Sequence, residues 1–335
     1  MNMLQIEGVA LDGICACVPA GVEESFSRLC ALYGDEEKAR SVVKATGISS
    51  RRVAAAGVSS LDLCTAAAER LFDSSAVRRD EIGSVVCVTF TPASAMPCNA
   101  VRAQSSLGLG TGVAAFDINM ACSGWVYGLY VAALLAKSSG RKTLLLDGDV
   151  QTAHVDPSDG ATVPVLADAG SATVVSPSPG ARAWKFAFMS DGAKGGALVL
   201  PHGGRISMDG FGVFRFVTVD TLRFLGDFLA GTGETPESLD AFVPHQANIF
   251  MVSQLARSLG FPREKLLTSA GEFGNTGSSS LPLTIACRCG KPGMPEKAAR
   301  LLVSGFGGGL SAGAALVDLP ARCRLEVFDY KDGEE

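Results

Sequence analysis

Apolar and polar positions follow two patterns along the chain. Short apolar runs such as "SVVCVTF" (84–90), "KTLLLDGD" (142–149) and "ARLLVSGF" (299–306) predict buried β-strands. Amphipathic stretches such as "LDLCTAAAERLF" (61–72) and "VDTLRFLGDFLAG" (219–231) predict helices that cover one face of a sheet. Helices that alternate with strands in this way predict an α/β architecture with mostly parallel central strands.

The order of these elements occurs twice. "FTP" at 90–92 and "LG" at 107–108 mark the first occurrence, and "FVP" at 242–244 and "LG" at 259–260 mark the second. Both markers are displaced by the same 152 residues. This approximate duplication predicts two similar halves, related by a pseudo-two-fold axis, in a layered body of two packed sheets.

The length of 335 residues also favours two units. We place the N-terminal half at residues 1–176 and the C-terminal half at 177–320. Residues 321–335 contain "RLEVFDYKDGEE", and this charged tail is expected to be a solvated extension.

One apolar stretch needs a separate explanation. Residues 118–136 contain no charged side chain. A stretch of this length is long enough to be considered as a membrane-spanning helix. The stretch also contains Asn119, Ser123 and two glycines. We interpret it as a buried central helix, because a helix between two packed sheets needs no polar face.

Composition narrows the function classes. Apolar residues make up 47% of the chain and charged residues 19%, with a net charge of −5 and no basic block, which argues against nucleic-acid binding. Ten cysteines are scattered through mostly apolar runs, which is typical of buried thiols in a reducing compartment. "CAC" and "CRC" lack zinc-ligand spacing, and the N-terminus has no basic signal region. We therefore expect a cytoplasmic protein without a structural metal.

Three residues are candidates for catalysis. Cys122, in "DINMACSGW", lies at a predicted strand-to-helix turn, where helix N–H groups favour a thiolate nucleophile. His245, in "VPHQAN", follows a strand, and Asn275 lies in the turn of "GEFGNTGSSS" that matches the Cys122 turn in the other half. The duplication places Cys122 opposite Asn275. Taken singly, these residues are also explained as a structural cysteine, an ordinary polar histidine and a helix cap.

A glycine-rich segment follows the last apolar run. "SGFGGGLSAG" (304–313) allows the backbone to approach a ligand closely. No Gly-Lys-Ser/Thr follows it, and it does not open a βαβ unit, so a nucleotide-phosphate loop is disfavoured.

Together, the Cys turn, "VPHQAN", "GNT" and "GFGGG" occur in the order typical of one enzyme family. From about residue 5 to residue 318 the chain resembles the thiolase-fold condensing enzymes, most closely 3-oxoacyl-[acyl-carrier-protein] synthase III. The resemblance implies a layered αβαβα body of two pseudo-duplicated halves. It implies that an acyl group is carried on Cys122 and then joined to a malonyl thioester by decarboxylative Claisen condensation.

The same resemblance assigns roles to individual residues. His245 and Asn275 would form the decarboxylation site, and the backbone N–H groups of Cys122 and Gly308 the oxyanion hole. A neutral imidazole and an amide fit this chemistry, because a carboxylate would repel the enolate charge. The substrate-binding residues it implies are Met96, Phe214, Asn248 and Phe306.

The resemblance also implies partners. Family members are typically homodimers in which a loop of each subunit closes the neighbouring acyl pocket, and Met96 occupies the matching position. Acyl carrier protein would dock on Arg215 and Arg257. No tightly bound cofactor is implied, and the substrates are acyl thioesters of coenzyme A or of the carrier protein, with no nucleic acid and no membrane involved.

Four positions depart from the family pattern. Ser41 and Ala45 stand where a Trp and an Arg usually contact the adenine of coenzyme A, Gly160 stands where another Arg helps hold the nucleotide, and Phe250 replaces an Arg after "HQAN". Without the Trp and Arg residues, stacking and charge-assisted hydrogen bonds to coenzyme A are lost, so these positions do not support priming by coenzyme A.

Three functions therefore stay open at this point. The first is a decarboxylating condensing enzyme of fatty-acid or secondary-metabolite synthesis. The second is an acyltransferase that passes the Cys122-bound acyl group to another nucleophile. The third is a non-catalytic subunit of a heteromeric synthase. Asn275 favours the first, because acyl transfer to a heteroatom requires no decarboxylation site.

Overall fold

The computed structural model describes residues 1–74, 77–289 and 298–331. In chain order its strands are β1 (Leu4–Ile6), β2 (Val9–Pro19), β3 (Val22–Glu24), β4 (Ser50–Arg52), β5 (Ile82–Val88), β6 (Ala114–Ile118), β7 (Lys142–Asp149), β8 (Ala169–Pro177), β9 (Trp184–Ser190), β10 (Leu198–Val199), β11 (Ser207–Met208), β12 (Ala241–Pro244), β13 (Ala299–Gly307), β14 (Ser311–Leu319) and β15 (Arg324–Tyr330). The α-helices are α1 (Ser25–Tyr33), α2 (Glu36–Thr46), α3 (Ser60–Asp73), α4 (Asn99–Ser106), α5 (Gly124–Ser139), α6 (Gly210–Arg215), α7 (Leu222–Thr232), α8 (Ile249–Ser258), α9 (Ala270–Phe273) and α10 (Ser280–Cys289).

These strands form two large sheets. The first has the order β15-β2-β8-β7-β5-β6, and the second has the order β1-β9-β14-β13-β12. In the first sheet β5 runs parallel to β6 and β7, and in the second β12 runs parallel to β13. The central strands read as continuous apolar runs because both faces are covered.

The helices complete a layered arrangement. α5 packs against β5 and β7 of the first sheet and against β13 and β14 of the second, and α10 likewise contacts both sheets. α3 covers the outer face of the first sheet, and α7 contacts β9 of the second. Central burial explains why α5 needs no polar face near its start, where Trp125 is fully buried and donates to Thr173. The predicted α/β body with αβαβα layers is confirmed.

The duplication seen in the sequence is also present in space. The succession α3, β5, α5, β7, β8 in the first half matches α7, β12, α10, β13, β14 in the second. One element differs between the halves. β6 forms a full parallel partner for β5, whereas its counterpart in the second half is an isolated parallel bridge between Phe242 and Leu266.

The N-terminal strand and the C-terminal strand each join the sheet that is formed mainly by the other half of the chain. β1 pairs with β9 of the second sheet, and β15 pairs in parallel with β2 of the first. The change from the first sheet to the second falls between β8 and β9. The domain boundaries at residues 176 and 320 stay predictions.

The expectation of a solvated segment after residue 320 is wrong for Arg324–Tyr330, which form β15. Side chains alternate along this strand, so Leu325 and Val327 pack against the core between the sheets while Phe328 packs on the opposite face. An ion pair between Arg52 and Asp329, 2.8 Å long, ties its end to β4. The dense charge of the segment obscured this alternation. Residues 332–335 lie outside the described residues.

All ten cysteines are free thiols, as the scattered positions predicted. Across the described residues, no helix combines the length and the apolar composition that a bilayer crossing requires. Within the same residues, no group of three or more His, Cys, Asp or Glu side chains is placed to hold a metal ion.

Candidate active site

Cys122 lies between β6 of the first sheet and the central helix α5. After β6 the chain forms a 3-10 turn, Ala121–Ser123, and continues directly into α5. Ala121 has φ 44°, a left-handed conformation that is uncommon for a residue with a Cβ. Such conformations concentrate at functional sites, where the surrounding structure holds them in place. Cys122 is 6% exposed and lines a cavity.

The cavity has a volume of about 590 Å³ and lies at the junction of the two halves. Among the described residues that line it there is no Asp, Glu, Lys or Arg. A wall of this kind suits an uncharged, apolar group. Its apolar side chains include Val42, Phe90, Val165, Leu166, Leu198, Leu200, Ile206, Met208, Val213, Phe214, Val217 and Met251.

His245 follows directly after β12 and is 2% exposed. Its backbone N–H donates to the carbonyl of Ser304 at 2.7 Å, and its Nδ1 lies 2.7 Å from Ser280 Oγ. The ring of Phe306 stands edge-on to the imidazole, with 5.3 Å between ring centroids. Burial lowers the pKa of His245 to about 3, so the imidazole is neutral near pH 7.

Asn275 lies in the turn before α10 and is 7% exposed. Its backbone N–H donates to Val165 and its carbonyl accepts from Ala167, both at 2.8 Å. Gln151 Nε2 donates to the same carbonyl. The side-chain Oδ1 accepts from the N–H of Gly277 at 3.1 Å. Because the oxygen end of the amide is occupied, the Nδ2 end is left to donate to a ligand in the cavity.

The glycine-rich loop packs against the turn that carries Cys122. A Cβ added at Gly307 would lie 2.7 Å from the Cβ of Cys122, and one added at Gly305 would lie 2.8 Å from the Cα of Ser123. Gly307 also has φ 159°. The close approach predicted for "GFGGG" is therefore to the cysteine turn, and it brings Gly308 to the cavity wall.

The surroundings of the Cys122 sulfur are strongly dehydrated. Burial raises the pKa of the thiol to about 12, and the charge of Asp149 adds to the rise. Asp149 is itself fully buried, and its carboxylate accepts from Thr89, Phe90 and Ser278. The expected thiolate at the helix N-terminus is therefore wrong for the resting protein, because lost hydration outweighs the helix dipole.

The structure brings most of the predicted site residues together. The following line the one cavity: Cys122, His245, Asn275, Gly308, Phe214, Asn248 and Phe306. The 3-10 turns 121–123 and 277–279 contact each other, as the duplication predicted. Asn248 also caps α8, since its side chain accepts from Met251 N at 2.8 Å.

Three predicted residues do not line this cavity. Met96 is 87% exposed on the surface of its own chain, so its assignment to a neighbouring subunit stays a prediction. Arg215 and Arg257 are exposed at the ends of α6 and α8, and within the described part of the chain neither forms an ion pair. Their docking role also stays a prediction.

Sequence reasoning missed the residues that hold the site in place. Ser280 is the hydrogen-bond partner of His245, and Gln151 holds the backbone of Asn275. Gln246 donates to Pro244 and accepts from the N–H of Ser269. The only sequence signal for them is a polar side chain within a buried apolar stretch, which does not identify its partner.

Comparisons with known proteins agree with this geometry. The family model described as 3-oxoacyl-[acyl-carrier-protein (ACP)] synthase III matches residues 116–192, and the model of its C-terminal region matches residues 229–319. Beta-ketoacyl-[acyl-carrier-protein] synthase III of Serratia proteamaculans is 31% identical over 82% of this chain and 89% of its own length. The corresponding protein of Citrobacter koseri is 32% identical over the same shares.

Solved structures give the same result. A 3-oxoacyl-(acyl-carrier protein) synthase from Burkholderia xenovorans superposes with a TM-score of 0.93 at 30% identity, covering 98% of this chain and 99% of that one. The priming β-ketosynthase of the R1128 polyketide pathway superposes with a TM-score of 0.86 at 28% identity, covering 96% and 98%. The chain belongs to the 3-oxoacyl-[acyl-carrier-protein] synthase III family of thiolase-fold condensing enzymes.

Proposed function

We propose that Cys122 takes an acyl group from a thioester and that the acyl group is then condensed with a malonyl thioester, with loss of CO2. The observation that supports this best is that Cys122, His245 and Asn275 line one uncharged cavity, with the amide nitrogen of Asn275 free to donate. The product is a 3-oxoacyl thioester.

The first step forms a thioester on the protein. The sulfur of Cys122 attacks the carbonyl carbon of the incoming thioester, and the bond to the departing sulfur breaks. Since Cys122 rests as a thiol, its proton leaves during the attack and ends on the departing thiol. The tetrahedral intermediate carries a negative oxygen, which the N–H groups of Cys122 and Gly308 stabilise. Removing one such donor typically costs about 2.7–4 kcal/mol.

The second step uses the other side of the cavity. The malonyl carboxylate leaves as CO2, and the electron pair of the broken C–C bond forms an enolate. When the Ser280 hydroxyl donates to Nδ1 of His245, Nε2 carries the proton and donates to the enolate oxygen beside Asn275 Nδ2. The carbanion attacks the acyl carbonyl, the Cys122 thiolate departs, and it takes up a proton from solvent.

The physiological thioesters are proposed from the same surroundings. Acyl carrier protein is acidic and would meet Arg215 and Arg257, exposed cations without an ionic partner in the described part of the chain. Ser41 and Ala45 are exposed on α2, beside Val42 of the cavity wall. These short side chains offer nothing to an adenine ring, which favours a carrier-bound donor over coenzyme A.

A homodimer would complete the pocket. Met96 is exposed in its own chain and carries a flexible thioether that can adapt to an acyl chain. We assign it to the pocket of the partner subunit. Cross-linking from a cysteine introduced at position 96 would test this assignment.

Intact-mass spectrometry tests the proposed function. Wild-type protein incubated with a panel of acyl carrier-protein and acyl coenzyme A thioesters gains one acyl mass, and a malonyl thioester then discharges it as a 3-oxoacyl product. Cys122→Ala gains no mass, whereas Cys98→Ala, which removes a half-buried thiol outside the cavity, behaves as the wild type. An acyl mass on Cys122→Ala would contradict the nucleophile, and discharge without CO2 release would favour acyl transfer.

A further inference from the structure

Two buried serine hydroxyls lie between the nucleophile turn and the glycine-rich loop. Ser123, the neighbour of Cys122, is 0% exposed, and Ser311, at the start of β14, is 1% exposed. Their Oγ atoms are 2.7 Å apart. Ser311 Oγ also lies 2.7 Å from the carbonyl oxygen of Gly308. The pair therefore connects the first half of the molecule to the loop of the second.

The number of available protons fixes the direction of these bonds. Ser123 Oγ lies 2.9 Å from the carbonyl of Met120, which already accepts from the N–H of Ser123 at 3.2 Å. The two hydroxyls carry one proton each. Both 2.7 Å contacts carry a proton only in the order from Ser123 to Ser311 to the Gly308 carbonyl, in which the Met120 carbonyl keeps the N–H of Ser123 as its donor. The arrangement is a chain of two hydrogen bonds that ends on the carbonyl oxygen of Gly308.

The loop needs such an anchor. Residues 307–309 are all glycine, and glycine loses more conformational freedom on ordering than any other residue. No side chain of the loop itself can hold Gly308 in place. An oxyanion donor is effective only when it is fixed before the reaction.

We propose that Ser123 and Ser311 are positioning residues that hold the Gly308 N–H toward the thioester carbonyl at Cys122. This inference rests on the proposed function, in which Gly308 is an oxyanion donor. Neither serine lines the cavity, so neither touches the substrate. The pair acts on the acyl-loading step through Gly308 and leaves the decarboxylation donors His245 and Asn275 in place.

Two single substitutions test the pair. Ser311→Ala and Ser123→Ala each lower the rate constant of Cys122 acylation by about 10- to 100-fold, the loss typical of a misplaced catalytic group. The acyl-thioester concentration at half-maximal rate stays within about twofold, and CO2 release from a malonyl thioester is unchanged. The double variant is no slower than the slower single variant, because both changes cut the same chain of bonds.

Two further variants serve as controls. Ser311→Thr keeps the hydroxyl and restores acylation to near the wild-type rate. Ser25→Ala removes a buried hydroxyl that has no hydrogen-bond partner among the described residues, and it leaves acylation unchanged. Melting temperatures of all variants check that the fold is retained.

The outcomes separate the two proposals. Acylation of Ser311→Ala at the wild-type rate, or an equal loss of acylation and CO2 release, would overturn the positioning role. A wild-type protein that gains no acyl mass from any thioester would overturn the proposed function itself, whatever the serine variants do.

Discussion

In the first half of the molecule the chain enters α5 through a 3-10 turn that carries Cys122, and in the second half it enters α10 through a 3-10 turn that follows Asn275. The strand before the first turn, β6, is paired along its full length with β5. The matching segment of the second half has a single bridge at Leu266.

The buried amide of Gln246 supplies hydrogen bonds where the second half lacks a full strand. Gln246 Oε1 accepts from the N–H groups of Ser269 and Ala270, and its Nε2 donates to Pro244 and Leu267. These bonds hold the segment that leads to Asn275. Full strand pairing therefore supports the turn of Cys122, whereas side-chain hydrogen bonds from Gln246 and Gln151 supplement the backbone bonds that hold the segment of Asn275.

The largest expected effect comes from a substitution at Asn275 that lowers CO2 release but not acylation of Cys122. Asn275→Asp has nearly the same shape but places a carboxylate beside the developing enolate. CO2 release from a malonyl thioester should fall by about 10²- to 10³-fold. Acylation of Cys122, followed by intact mass, should stay within twofold. Cys122→Ala is the reverse control, since it should lose acylation and keep CO2 release. An equal loss of both reactions in Asn275→Asp would contradict the assignment of acylation to one turn and CO2 release to the other.

The next effect concerns the imidazole. Ser280→Ala removes the partner of His245 Nδ1, so the ring loses its fixed tautomer and orientation. CO2 release should fall by up to about 10²-fold, with acylation retained. Ser280→Thr keeps the hydroxyl and should recover most of the rate. A Ser280→Ala protein with full CO2 release would show that the hydroxyl does not set the tautomer.

The contribution of the Gln246 amide can be measured as a change in the free energy of unfolding. Gln246→Met is similar in volume but strands the N–H groups of Ser269 and Ala270 in a buried site. The free energy of unfolding should fall by about 1–3 kcal/mol for each stranded group. Urea unfolding measures the loss, and Gln254→Met on the exposed face of α8 is the matched control. Equal stability of the two variants would mean that the amide makes no such contribution.

Acid titration probes the same half. Burial lowers the pKa of His245 to about 3, while an unfolded histidine titrates near 6.5. The unfolded chain therefore binds this proton first, and stability falls as the pH drops from about 6.5 toward 3. His245→Gln should flatten this part of the stability profile. CO2 release by the wild type should show no loss from protonation of His245 above pH 5, and an acid limb near pH 6.5 would contradict a neutral, buried imidazole.

The smallest effect belongs to the surface of β15. Asp329 pairs with Arg52 but its side chain is 59% exposed, so Asp329→Asn should change the free energy of unfolding by less than about 1 kcal/mol. Val327→Asp, on the face that packs against the core, should destabilise far more. Thermal unfolding of both variants distinguishes a packed strand from a loosely attached one.

Sequence patterns predicted the fold, and the placement of Cys122, His245 and Asn275 in one site, for a physical reason. Apolar periodicity and the repeated order of elements survive in the sequence because each half must bury the same faces. Cys122, His245 and Asn275 follow strand or turn signals that the duplication brings together. The partners Ser280, Gln151 and Gln246 were not predictable, since a hydrogen bond between distant segments leaves no local pattern. The pKa of Cys122 likewise depends on burial by the other half.

The pairing of β15 with β2 bears on how the chain is made. β2 is complete once residues 9–19 have been synthesised, but its partner is encoded more than three hundred residues later. Until then one edge of an apolar strand is open, and open edges recruit other chains. Fragments that stop before Arg324 should therefore depend on chaperones far more than the chain that includes β15.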